Sequence, residues 1–207
     1  MKILTALALL FCLLLPLNAD DSITFSGGTS SVSLQDGKRS VSLSGGAYVT
    51  VDTLSITADS IIIEGDDYDE ITCHGSILIT DEERGLTIRT SDLYYDRAAE
   101  RLLISSWCEL NDTQNELAAS ASALYYDMEE EKLELSMRVN LVKNTSSGML
   151  SASCESMIYD RNEESLILSG PADVKWKDDT YSASVIAIDL ESEQIRLEGQ
   201  IGGHVYG

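Results

Sequence analysis

Four passages between Ser91 and Leu197 repeat one pattern, a short apolar strand that runs into an acidic turn and out along a second apolar strand. They read SDLYYDRAAERLLI, SALYYDMEEEKLEL, SMIYDRNEESLIL and IAIDLESEQIRL, and their turns open on Asp96, Asp127, Asp160 and Asp189, spaced by 31, 33 and 29 residues. Self-similarity at this period marks units that cannot bury their own apolar face and must stack on one another. Each unit holds two strands and a tight turn, the arrangement of an antiparallel hairpin and not of a parallel coil. Earlier segments fit the same template. SVSLQDGKRSVSL turns at Asp36-Gly37 and IIIEGDDYDEITCHGSILI has a turn one residue longer, which makes six units. The fold class this predicts is all-β, built from repeated strand-turn-strand units.

Four residues past the first apolar position of each outgoing strand stand Gly45, Gly75, Ser106, Met137, Gly170 and Gly199. Glycine inside a strand marks a bulge or kink, because it costs stability wherever its freedom is not needed. Ser106 and Met137 lack that freedom, so the strands through them are expected to run straighter. The outgoing strands alternate with period two: Leu133, Leu135, Met137, Val139 and Leu141 share one face, as do Leu166, Leu168, Ala172, Val174 and Trp176, and Ile195, Leu197, Ile201 and Val205. Each is a half-buried strand with one wet side. Incoming strands place smaller residues on one face: Leu117, Ala119, Ala121, Ala123 and Tyr125, then Leu150, Ala152, Cys154, Ser156 and Ile158. MEEEKLELSM holds good helix formers, but its apolar residues alternate, so it reads as turn and strand. Residues 20–30, with Gly27-Gly28, read as an exposed lead-in or a frayed first strand.

Residues 1–19 have the form of a secretion signal: Lys2, an apolar run from Ile3 to Leu15, and a small residue at Ala19, after which cleavage is expected. The run is shorter than the roughly 20 residues a spanning helix needs, and retention as a tether is the alternative. The remaining chain, 20–207, shows no composition break and reads as one domain. Removing the leader takes away one charge, Lys2, and moves the net charge from −21 to −22. Such a chain repels phosphate backbones, and its scattered basic residues form no stripe for nucleic acid or an anionic membrane. The acidity reads as a solvated outer face. Cys73, Cys108 and Cys154 all fall on apolar strand faces. An oxidising compartment permits one disulfide among them, and three small buried thiols are the other outcome.

No nucleophile elbow, phosphate loop or zinc spacing occurs, and Cys73-His74 point to opposite faces of a strand. The carboxylates concentrate in turns. The chain therefore reads as a protein without catalytic residues, metal or cofactor.

The aspartate-opened turn, the outgoing Leu-x-Leu/Ile strand, the glycine and the following Ala/Ser-rich strand resemble the LptA/OstA family. The segments that carry the likeness are ITADSIIIEG, ITCHGSILI, LTIRTSDLYYDRAAERLLI, LAASASALYYDMEEEKLEL and LILSGPADV, spread over most of residues 40–205. The resemblance implies a twisted, partly open antiparallel β-jellyroll in the periplasm that carries lipopolysaccharide or a related amphipathic glycolipid toward the outer membrane. Acyl chains would lie in an apolar trough. Mapped onto this chain the trough is lined by Leu102, Ile104, Leu133, Leu135, Met137, Val139, Leu166, Leu168, Ile195 and Leu197. Substituting Leu135 or Leu168 by Asp is then expected to abolish lipid binding and spare secretion.

Implied partners are inner-membrane LptC-like and outer-membrane LptD-like proteins, joined by edge-strand pairing, with head-to-tail self-association as a further possibility. Tyr94-Tyr95, Tyr125-Tyr126 and Tyr159 read as cross-strand packing residues, with a gate to the trough as the alternative. Two other functions stay open: a structural or assembly β protein whose interior is filled, and a membrane-tethered LptC-like docking subunit.

Overall fold

Residues 22–35 and 38–206 are described by a computed structural model. The expected leader and the Asp36-Gly37 turn lie outside the described residues. Among the described residues, sixteen antiparallel strands form one continuous sheet. In chain order they are β1 (Thr24–Ser26), β2 (Thr29–Gln35), β3 (Lys38–Val51), β4 (Leu54–Gly65), β5 (Glu70–Asp81), β6 (Leu86–Asp96), β7 (Arg101–Ile104) and β8 (Cys108–Asp112). The rest are β9 (Leu117–Ala121), β10 (Ala123–Asp127), β11 (Lys132–Thr145), β12 (Gly148–Asp160), β13 (Ser165–Trp176), β14 (Asp179–Asp189), β15 (Gln194–Glu198) and β16 (Gly202–His204). MEEEKLELSM is turn and strand as expected, and the 20–30 lead-in contributes β1 and the start of β2.

The four repeat aspartates act alike. Each carboxylate accepts the backbone N–H three residues on: Ala99 to Asp96 at 3.0 Å, Glu130 to Asp127 at 3.1 Å, Glu163 to Asp160 at 3.0 Å and Ser192 to Asp189 at 2.8 Å. This closes the turn locally, the reason aspartate is favoured there. Successive turns are also bonded to each other, Met128 N–H to the Glu100 carbonyl and Leu190 N–H to that of Glu164. Thus the repeat period is the stacking period. Asp81 and Asp112 cap turns at the opposite strand ends in the same way, through Arg84 and Asn115, so the molecule has two rows of turns.

Bulges interrupt the ladder where the glycines were counted: between Ser44 and Ala47, His74 and Ile77, and Ser169 and Ala172. The expectation of straighter strands at Ser106 and Met137 is overturned. Met137 and Arg138 take positive φ of 64° and 61° without glycine, and the register shifts between Ser136 and Val139. At Ser106 the strand breaks into β7 and β8. Neither glycine nor its absence decides the kink, because the same fold line crosses every unit and imposes it. Beyond that line the pairing changes partner. β11 pairs with β10 through Lys132–Ser136 and with β9 through Asn140–Lys143, and β6 pairs with β7 and β8 in the same manner. The sheet is therefore folded into two walls, continuous through the line of bulges, that bury one shared apolar cluster.

Four expected faces change at or beyond that line. Met137 is 48% exposed, since the two left-handed residues swing it out of the row that Leu133, Leu135, Val139 and Leu141 keep. Ala123 and Tyr125 are not inward, nor is Ile158. The incoming strands change phase at Ser122 and near Glu155, and Leu124, Tyr126, Met157 and Tyr159 are buried instead. A residue added to one strand of a pair shifts which side chains of its neighbour face in. Ile201 and Val205, expected to continue the β15 row, are exposed.

Candidate functional site: an apolar interior with a latched seam

Register carries the inward side chains from strand to strand as unbroken rows. One runs Val41, Ile63, Ile71, Tyr95, Leu102, Tyr126, Leu133, Tyr159, Leu166, Ile188 and Ile195, each directly opposite the next. A parallel row runs Ile104, Leu124, Leu135, Met157, Leu168, Ile186 and Leu197. Facing them, the second wall presents Val49, Ile56, Ile79, Ile88, Leu110, Ala119, Leu141, Ala152 and Val174. Side chains there shrink toward the C-terminal end, where Ala119, Ala121, Ala152, Cys154, Ala172 and Ala183 cluster.

Of the ten residues expected to line the trough, Leu102, Ile104, Leu133, Leu135, Val139, Leu166 and Leu168 are fully inside, Ile195 and Leu197 are partly buried, and Met137 is not part of it. The interior is closed along its middle, with Leu133, Leu135, Leu166 and Leu168 all 0% exposed. It reaches solvent at its ends. Val32, opposite Val41 on the edge strand β2, is 61% exposed, and an open cleft of about 400 Å³ there is lined by Ile23, Phe25, Val32, Val41, Ile63 and Tyr68. Cys73, Cys108 and Cys154 are buried free thiols, and burial pushes them up to about 12, 11 and 11.

Opposite the bulge line, the two rows of turns meet at a seam of polar side chains. Asp52 accepts the Tyr95 hydroxyl at 3.0 Å and pairs with Arg97 at 3.1 Å. Arg84 binds Asp81 at 3.0 Å and Glu131 at 3.3 Å. Arg161 binds Asp112 at 2.9 Å, Glu131 at 2.8 Å and the Arg84 carbonyl at 2.8 Å. Glu193 takes the hydroxyl and N–H of Ser147 and the hydroxyl of Ser146. The central pair is deeply buried, the side chains of Arg161 and Asp112 being 3% and 0% exposed. The tyrosines thus pack as expected, and two of them also tie the seam: Tyr159 donates to Asp112 at 3.3 Å. Tyr126 is the exception. It is buried, its hydroxyl has no hydrogen-bond partner among the described residues, and burial pushes it up to about 12 between Arg84 and Arg161. An unmatched buried hydroxyl costs about 1–3 kcal/mol.

Burial alone would raise the Asp112 carboxyl, but hydrogen bonds from Arg161 and Asn115 hold it below the ordinary aspartate value. Its folded pKa therefore lies below its unfolded one. The stability it confers is full above the unfolded value, about 3.9, and is lost as pH falls through the folded value. Asp112→Asn is expected to flatten this part of the acid limb while lowering stability at pH 7, as urea unfolding from pH 7 to pH 3 would record.

The seam was not anticipated, although two signals pointed to it. Asp81 and Asp112 sit on the apolar phase of their strands, after Ile77, Ile79 and Leu110, where a carboxylate needs a buried partner. Arg97 and Arg161 each follow a repeat aspartate directly.

The described residues thus form a folded sheet with a continuous apolar lining, an open cleft at its β2 edge and three buried thiols. A profile described as "LptA/(LptD N-terminal domain) LPS transport protein" matches residues 28–194. The chain belongs to this family, whose members are transport proteins and not enzymes. No curated protein matches it in sequence. Among solved structures it is similar to LptH, the LptA homologous periplasmic component of the lipopolysaccharide transport device of Pseudomonas aeruginosa. That alignment covers 90% of this chain and 96% of LptH at 9% identity and a TM-score of 0.32, a likeness too weak to bear on function.

Proposed function

We propose that this protein carries the acyl chains of lipopolysaccharide, or of a related amphipathic glycolipid, through the periplasm toward the outer membrane along its apolar interior. The observation that carries the proposal is the unbroken register of inward apolar side chains from β3 to β15. Each acyl methylene moved there from water contributes roughly 0.8 kcal/mol, so a few chains suffice for retention. Leu102, Ile104, Leu133, Leu135, Val139, Leu166, Leu168, Ile195 and Leu197 would touch the chain. Ala119, Ala152 and Cys154, opposite, would leave it the most room.

The edge strands supply the connections. β2, TSSVSLQ, carries no charged side chain and among the described residues pairs with β3 alone, so its other edge is unprotected against strand addition. It and β15 are the surfaces proposed to meet an LptC-like protein, an LptD-like protein or a second copy. A leader cleaved after Ala19 would release the chain into the periplasm; a mature N-terminus at Asp20 tests this against a retained tether.

The complete burial of Leu135 and Leu168 favours one rival, an assembly protein with a permanently filled interior. Native mass spectrometry of protein purified from a lipopolysaccharide-making host separates the two. Co-purified glycolipid, released by solvent extraction, is the expected result, and protein that is always lipid-free would leave the rival standing.

A further inference from the structure

We propose that the seam between the two rows of turns is the mouth through which acyl chains enter, a lateral slit that opens by swinging the walls apart about the bulge line. The proposal rests on the lipid-carrying function and adds where the lipid gets in. With Leu135 and Leu168 wholly buried, a chain can reach them only if the walls separate. They cannot separate at the bulge line, because the long strands β5, β11 and β13 run through it from one wall to the other. That line is where the backbone already bends, through the positive-φ pairs Gly45-Gly46 and Met137-Arg138.

The opposite side is built differently. Among the described residues, backbone-to-backbone hydrogen bonds between turns stay within one row, as from Arg161 to Glu131 or from Thr113 to Gly85, and every bridge between the rows has a side chain on at least one side, as from Arg161 to Asp112 and to the Arg84 carbonyl. Opening the seam therefore breaks no strand pairing. The bridges are more exposed toward the ends, at Asp52 and Glu193, and buried at the centre, at Asp112 and Arg161. There the Tyr126 hydroxyl makes no hydrogen bond among the described residues, and opening the seam would bring it to the surface.

The test brackets the seam with two cysteine pairs in the full chain, Asp52→Cys with Arg97→Cys and Ser147→Cys with Glu193→Cys. Uptake of cis-parinaric acid, a polyene fatty acid that fluoresces out of water, is timed before and after oxidation. The locked protein is expected to take up the probe at least tenfold more slowly and to recover on reduction. In an unlocked chain, Glu131→Gln, which loosens both central arginines, is expected to speed uptake several-fold. Equal rates in locked and reduced protein, with wild type loading normally, would mean that chains thread from the ends and would overturn the seam while leaving the carrier function intact. Wild type that takes up no probe overturns both. If a pair does not cross-link, the Glu131→Gln rate decides, and a rate equal to wild type counts against the proposal.

Discussion

Replacing Arg161 by Met is expected to lower the unfolding free energy by about 3–5 kcal/mol, the cost of leaving one charge of a buried pair without its partner. Asp112 is wholly buried and receives Arg161, Tyr159 and Asn115. Removing the guanidinium also releases Glu131 and the Arg84 carbonyl. For a chain of this length each kcal/mol is worth about 2–4 °C in Tm, so a shift on the order of 10 °C should appear by calorimetry. The companion variant Arg161→Met with Asp112→Leu should recover most of the loss, because a buried pair is often no more stabilising than apolar residues of similar size. A single-variant loss below about 1 kcal/mol would mean that the seam is solvated in solution. Disruption here also differs from disruption of the repeat turns, since Asp96 and Asp189 accept hydrogen bonds from within their own turns.

Leu168→Asp is expected to be at least as severe, costing more than about 4 kcal/mol, because nothing nearby can pair with or hydrate the new carboxylate. Leu168 lies between Met157 and Ile186 in the second inward row and is 0% exposed. The same holds for Leu135, between Leu124 and Met157. The expectation that these substitutions remove lipid binding and spare secretion is thereby revised: the fold should fail with the binding. Ile167→Asp provides the contrast. Its side chain points to the opposite face, exposed, so the change should fall within about 0.5 kcal/mol of wild type. Urea unfolding of the two variants reads the alternation of β13 directly.

How far the chain can be read without coordinates depends on the range of the interaction. The turns at Asp96, Asp127, Asp160 and Asp189 are legible because the hydrogen bond they make spans three residues. Inward faces of the outgoing strands are legible for the same reason, since alternation is local. Met137 and Arg138 are not, because a left-handed pair without glycine carries no sequence signal and is imposed by the fold line shared with neighbouring strands. Nor are Ser122 and Glu155, where incoming strands change phase to match bulges in their partners. Arg161 and Asp112 join turns 49 residues apart across the seam. The odd placement of a carboxylate on an apolar phase, and an arginine directly after a repeat aspartate, are the local hints of it.

The most direct test of a lipid-carrying interior uses the alternation of β15, where Leu197 faces inward and is partly buried while Arg196 next to it faces out. A photo-crosslinking amino acid placed at one position or the other, in cells that make lipopolysaccharide, asks which face meets the lipid. A light-dependent lipopolysaccharide adduct at Leu197 and none at Arg196 is the result expected. Adducts at both positions, or at neither, would contradict an interior that carries acyl chains.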